Sequence, residues 1–212
     1  MIKRLIINIY GKITELNQFI KYGGRLGEFH KGCFIEKPLK INGLNNIYMK
    51  KGSYIYKNAY IIARPLTGER RCELIIGENS YLNIGSHVVS TKSVVIGNNV
   101  SVAPYVFISD NTHDYSDILT PVEFSPIKQL RTVRIGDDSW IGRGVAILGC
   151  SIGKHCVIGA NSVVNKDIPD YCIVGGVPAR IIKRYDFEKR EWRKTDKVGR
   201  FVDDTQELSD IK

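Results

Sequence analysis

Aliphatic residues recur along the middle of this chain at intervals of six. From Ile76 the series runs through Leu82, Val88 and Val94; after a shift of two residues it resumes as Ile96, Val102 and Ile108. An interruption follows, then Ile135, Ile141 and Ile147, and after a one-residue deletion Ile152, Ile158 and Val164. Four residues after most of these anchors sits a small or β-branched residue: Ser80, Ser86, Val100, Val106, Thr112, Ser139, Val145, Ser151, Cys156 and Ser162. Glycine often follows the anchor itself, as at Gly77, Gly97, Gly136, Gly142, Gly153 and Gly159. This period fits neither a helix nor an alternating strand. It fits a coil with flat faces, each face one short strand plus one corner, in which the anchors point inward and stack on their equivalents in neighbouring coils. The glycines are expected to supply corner backbone angles closed to other residues. One coil cannot bury its own face, so several must stack. A β-sandwich is the competing reading, but sandwich strands do not keep a fixed spacing of six.

The rest of the chain divides around this stack. Residues 1–74 read as an N-terminal helix followed by irregular first coils. Leu5, Ile9, Ile13, Leu16 and Ile20 keep helical spacing, and Gly52, Ile55 and Ile61-Ile62 faintly echo the repeat. The regular coils span 75–177, broken by a long excursion at 114–132 that carries Pro121 and Pro126. Long loops in compact domains are often functional. Residues 178–212 read as a cap and tail: a helix is expected over the charged stretch 179–195, and the polar end from Asp196 is expected to be poorly ordered.

At 212 residues, 43% apolar and 25% charged, the chain is long enough for one substantial domain. No apolar run reaches membrane-spanning length. Asn8, Tyr10 and Lys12 interrupt the aliphatic start too early for a signal-peptide core. The five cysteines, Cys33, Cys72, Cys150, Cys156 and Cys172, are odd in number and form no CxxC pair, which argues against disulfides or a zinc knuckle and for a reducing cytoplasm. A net charge of +9 suits an anionic partner: a phosphate-rich coenzyme, an acidic glycan or an anionic membrane surface. Nucleic acid is disfavoured, because the cations are scattered without interleaved aromatics.

Several segments carry a family likeness. Trp140-Ile141-Gly142, Ile158-Gly159-Ala160-Asn161-Ser162-Val163-Val164, Lys166-Asp167-Ile168-Pro169 and Gly176-Val177-Pro178-Ala179-Arg180 resemble the hexapeptide-repeat acyltransferases. Val106-Phe107-Ile108-Ser109-Asp110-Asn111-Thr112-His113 is particularly similar to the bacterial polysaccharide O-acetyltransferases that modify O-antigen or capsule, with galactoside and maltose acetyltransferases as close relatives. The likeness covers 75–185 well and the first 60 residues poorly. It implies an all-β fold: a left-handed parallel β-helix of hexapeptide repeats with an extruded loop and short N- and C-terminal helical caps. It also implies a homotrimer with active sites between subunits, acetyl-CoA as co-substrate and no metal.

Acyl transfer to a hydroxyl needs a base, and a free imidazole, with a pKa of about 6.5, suits that work. Among His30, His87, His113 and His155, only His113 stands where the repeat stops and the loop departs, and it matches the family's catalytic histidine; His87 and His155 read as exposed corner residues. His113 is expected to deprotonate the acceptor hydroxyl as it attacks the thioester and to return the proton to the leaving thiolate. Cys150 and Cys156 hold packing positions and are not nucleophile candidates. By resemblance, Asn83 contacts the acceptor sugar and Trp140 lines the site; Asp110 reads either as orienting His113 or binding acceptor, or as a solvated corner aspartate. Arg143, Ala160, Asn165 and Lys166 would line the coenzyme groove, and Arg180 and Lys183 would meet the nucleotide end. Arg143 and Asn165 depart from the small hydroxyl residues of the sugar acetyltransferases, and Thr91 stands where those relatives carry an acidic acceptor-binding residue, which argues against simple galactosides.

The expected acceptor is a sugar or polysaccharide, with peripheral contact to a membrane-linked glycan. Other readings are N-acetylation of a nucleotide-linked amino sugar, a zinc carbonic-anhydrase-like enzyme using His87, His113 and His155, and a non-enzymatic scaffold.

Overall fold

The computed structural model describes residues 2–196 and 199–202, with side chains from Lys12 onward. Helix α1 (Ile2–Tyr22) is followed by strands that visit three parallel sheets in rotation. The first coil is β1 (Glu28–Phe29), β2 (Phe34–Ile35) and β3 (Lys40–Asn42); the second is β4 (Ile47–Met49), β5 (Tyr54–Ile55) and β6 (Tyr60–Ala63). The third is β7 (Glu73–Ile76), β8 (Tyr81–Leu82) and β9 (His87–Ser90), and the fourth is β10 (Ser93–Ile96), β11 (Ser101–Val102) and β12 (Phe107–Ser109). A hairpin, β13 (Asn111–His113) and β14 (Ile127–Gln129), then leaves the stack. The fifth coil is β15 (Val133–Ile135), β16 (Trp140–Ile141) and β17 (Ala146–Leu148); the sixth is β18 (Ser151–Ile152), β19 (Val157–Ile158) and β20 (Val163–Val164). We call the sheets A, B and C in the order each coil meets them. The stack ends in sheet B with β21 (Cys172–Gly176), β22 (Ala179–Asp186) and β23 (Glu191–Lys194).

All thirteen anchors of the six-residue series are buried, each no more than 1% exposed. The two-residue shift arises because strands of sheet A turn two residues inward: Val94 with Ile96 on β10, Val133 with Ile135 on β15. The same rule reaches further toward the N-terminus than the expected boundary at 75. Ile35, Ile41 and Ile47, then Met49, Ile55 and Ile61, keep the spacing and the shift, so the first two coils are regular. A nine-residue excursion over 64–72 hides the continuity from β6 to β7.

The glycines after the anchors have a different role from the one expected. They do not take left-handed backbone angles. They let adjacent coils stack, since a Cβ on Gly136 would meet Gly153 C at 2.5 Å and one on Gly142 would meet Ile158 O at 2.6 Å. The left-handed corner residue comes two positions later: Asn79, Asn99, Asp138, His155 and Asn161, with φ between 53° and 60°, and Gly144, with φ 69°. Short polar side chains tolerate that region, and they also ladder along the corner: Asn99 Nδ2 donates to Asp138 Oδ1 at 3.0 Å. Ser80 and Ser139 sit beside these corners, buried, and donate to the carbonyls of Gly97 and Gly153 in the next coil.

The C-terminal cap is not the expected helix. Strand β22 pairs antiparallel with β21, and β23 with β22. The last coil leaves an open sheet edge, and pairing it outweighs the local helical bias of a charged segment. Tyr171, Tyr185, Phe187 and Trp192 pack edge-on over the hairpin at 4.9–5.5 Å between ring centroids. Asp186 closes the turn by accepting the amides of Glu188 and Lys189 and pairing with Arg193. Apart from Asp196 and 199–202, the polar tail lies outside the described residues.

Candidate functional site

The excursion over 114–132 is in part an ordered hairpin. Asn111, Thr112 and His113 pair antiparallel with Gln129, Lys128 and Ile127, and the amide of Asp114 donates to Pro126 O at 2.9 Å. His113 is therefore the last paired residue on the rising arm, exposed, at the corner where sheet C passes to sheet A. The tip beyond it presents Tyr115, Ile118, Leu119 and Phe124 to solvent.

What holds this corner is Asp110, and the sequence alone did not reveal its arrangement. Its carboxylate is fully buried and turned into the preceding coil. Oδ1 accepts Thr91 N and Thr91 Oγ1, both at 2.8 Å, and Oδ2 accepts Lys92 N and Ser93 N at 2.8 Å. Gln129 ties the hairpin to the same point: its Nε2 donates to Asp110 O at 2.6 Å, its Oε1 accepts the Thr67 hydroxyl at 2.6 Å, and the same oxygen lies 3.1 Å from the Thr91 hydroxyl as its alternative acceptor. Thr91 thus belongs to a buried network. Gln129 and Thr67 carry no sequence signal, because their partners lie 62 and 38 residues away along the chain. Both carboxylate oxygens of Asp110 are taken up inside the corner rather than offered to an acceptor.

The other sequence candidates fall into two groups. Asn165 and Lys166 lie between β20 and the bridge of Ile168 to Ile152, so they share the sheet C to sheet A corner with His113 and are exposed there. Arg131 and Asp167 pair at 2.6 Å on this corner, another feature the sequence did not suggest. Asn83, Arg143 and Ala160 lie at the opposite corner, between sheets B and C. Asn83 Oδ1 accepts the amide of Ile84 at 2.7 Å, and the Arg143 guanidinium stands 5.2 Å over the Tyr105 ring. Trp140 projects from sheet B between Ser101 and Val157, 54% exposed. Arg180 and Lys183 are on β22, also in sheet B. One chain therefore does not bring Asn83, Trp140 and Arg143 to His113.

The remaining histidines and cysteines are structural in their surroundings. His87 is not the exposed corner residue expected: it lies on β9 between the rings of Tyr60 and Phe107, and burial lowers its pKa. His155 occupies a left-handed corner with φ 53° and is exposed. All five cysteines are free and buried, and burial pushes Cys72, Cys150 and Cys156 up to about 11. Among the described residues no three His, Cys, Asp or Glu side chains are grouped to hold a metal ion.

The six-residue periodicity of residues 132–166 matches the model of the bacterial transferase hexapeptide family (six repeats). The chain is also 38% identical over 167 residues to galactoside O-acetyltransferase of Escherichia coli (strain K12), covering 76% of this chain and 78% of that protein. The chain belongs to the hexapeptide-repeat transferase family. Among other hexapeptide-repeat proteins, it is 37% identical over 130 residues to one from Escherichia coli (strain K12) provisionally named a lipopolysaccharide biosynthesis O-acetyl transferase, WbbJ; the match covers 57% of this chain and 65% of WbbJ, just under two thirds of that relative's length. Of solved hexapeptide-repeat structures, a galactoside acetyltransferase in complex with coenzyme A superposes with a TM-score of 0.50 at 26% identity, covering 81% of this chain and 73% of that one. A maltose O-acetyltransferase from Clostridium difficile 630 gives 0.50 at 27%, covering 78% and 73%.

Proposed function

We propose that this chain is an acetyl-CoA-dependent O-acetyltransferase acting on a sugar hydroxyl of a bacterial surface polysaccharide or its precursor. The observation that carries the reading is the placement of His113: an exposed imidazole fixed at the end of a paired strand, on a corner that also carries exposed Lys166. His113 removes the proton of the acceptor hydroxyl as its oxygen attacks the thioester carbonyl. The tetrahedral adduct collapses with loss of the coenzyme A thiolate, and the imidazolium returns its proton to that sulfur. No acyl-enzyme forms, in keeping with five buried thiols. Cationic side chains on the groove meet the coenzyme's phosphates.

We assign the coil a left-handed winding and the protein a homotrimeric assembly, in the cytoplasm, where acetyl-CoA is made. The division of the candidates between two corners supports the trimer. His113, Asn165 and Lys166 of one chain complete a site with Asn83, Trp140 and Arg143 of the next; Arg180 and Lys183 take the nucleotide end. Asp110 acts there as a positioning residue. Mixing His113→Ala chains with Trp140→Ala chains tests this assembly: activity recovers above either parent when the site is shared between chains, and does not when each chain is complete alone. The function itself is tested by coenzyme A release from acetyl-CoA against neutral and acidic sugars, nucleotide-linked amino sugars and polysaccharide fragments, with mass spectrometry of the product. An ester on a sugar oxygen supports the reading. An amide on an amino sugar, or no acceptor-dependent release, overturns it.

A further inference from the structure

Helix α1 is attached to the coil by the face one would expect to find in water. Glu15 Oε1 accepts the amide of Gly32 at 3.0 Å, Gln18 Oε1 accepts the amide of Ile35 at 3.0 Å, and Tyr22, one turn further on, is buried. These three residues, at i, i+3 and i+7, lie along one side of the helix. The rest of the helix surface carries Ile13, Leu16, Phe19 and Ile20, which are 50–72% exposed; Leu16 and Phe19 also border a cavity shared with Phe29, His30 and Cys33 of the first coil. Four large apolar side chains left half or more exposed on one helix are the kind of surface that marks an interaction site.

Charge identifies what covers this face. The helix carries Lys3, Arg4, Lys12 and Lys21 and a single acidic residue, Glu15, whose carboxylate is turned into its own chain. Lys12 and Lys21 are exposed, as is Arg25 just beyond the helix. In a seam between copies of α1, with Ile13, Leu16 and Ile20 at its centre, the flanking positions would be Lys12, Asn17 and Phe19. No carboxylate stands there to pair with the lysines, whereas self-associating helices place opposite charges at those positions. A wide apolar stripe flanked by cations of one sign instead fits the boundary between lipid tails and anionic headgroups. Among the described residues no helix is long and apolar enough to cross a membrane, so the helix would lie along the surface.

We propose that α1 docks the protein on an anionic lipid surface, with Ile13, Leu16, Phe19 and Ile20 among the acyl chains and Lys12 and Lys21 at the headgroups. This docking is independent of the acyl-transfer reading and is measured without substrate. The probe is co-sedimentation of the full chain with phosphatidylcholine vesicles, with and without about one third phosphatidylglycerol. The expected result is binding to the phosphatidylglycerol vesicles at least about tenfold stronger than to phosphatidylcholine alone, and weakened by salt. Lys12→Gln and Lys21→Gln should each weaken it by about fivefold. Leu16→Gln with Ile20→Gln should abolish it while leaving the urea midpoint and the mass by light scattering unchanged. Equal binding to neutral vesicles, or none to either, overturns the proposal. So does a fall in mass in the Leu16→Gln, Ile20→Gln variant, which would mean that a second copy of the chain covers this face.

Discussion

Removing the Asp110 carboxylate should collapse the corner that carries His113. In Asp110→Ala, three backbone amides, those of Thr91, Lys92 and Ser93, lose their acceptor together, while the Thr91 hydroxyl can still turn to Gln129 Oε1. Hydrogen bonds to a charged group contribute about 1.5–3 kcal/mol each. The Thr91 pair is fully buried, but the Lys92 and Ser93 bonds are only partly so, and water reaches those two amides once the carboxylate is gone. We expect a loss of about 3–6 kcal/mol, a large fraction of the roughly 5–15 kcal/mol that holds a domain folded. Asp110→Asn keeps the shape and one acceptor oxygen but turns an amide group toward donors, and should cost about 2–4 kcal/mol. Urea unfolding measures both. In the folded fraction of Asp110→Asn, kcat should fall while KM for acetyl-CoA changes little, because the displaced group is the strand bearing His113. A stability loss under about 1 kcal/mol in Asp110→Ala would refute the corner role. Lost activity with unchanged stability in Asp110→Asn would show instead that the carboxylate works directly on substrate.

Other outcomes follow from the stacking. Gly136→Ala drives a Cβ to 2.5 Å from the backbone of Gly153 and Lys154, and overpacking of that kind should cost about 1–3 kcal/mol in thermal unfolding, whereas Gly24→Ala, with nothing within 4 Å, should be neutral. Cys72, Cys150 and Cys156, buried and with thiols pushed up to about 11, should resist a thiol reagent at pH 8 in the native protein and react only after unfolding. Because burial depresses the His87 pKa, the unfolded chain takes up a proton before the folded one does as pH falls below about 6.5, so acidification lowers stability there. Urea midpoints at pH 7.5 and 5.5 should separate more in the native sequence than in His87→Phe.

The coil was legible because its signal is local and repeated: one inward aliphatic per face, read off at fixed spacing. Its first two turns escaped because 64–72 breaks the count, although Ile35 to Ile61 obey the same rule. The glycine reading failed because sequence shows where a Cβ is missing, not whether dihedral angle or close approach requires it. The cap over 179–194 is set by the open edge of β21, a tertiary demand that local composition does not carry. At the site, His113 was visible as the residue where periodicity stops. The network of Asp110, Thr91, Gln129 and Thr67 was not, since it depends on which coil stacks on which. The split of candidates between two corners was hidden for the same reason.

The most direct test replaces His113 with alanine and follows coenzyme A release from acetyl-CoA with the acceptor that supports turnover. His113 is exposed and no side chain among the described residues hydrogen-bonds its ring, so the urea midpoint should stay where it is. The account predicts that kcat falls by about 10²–10⁴-fold. Full turnover by a folded His113→Ala protein would contradict it.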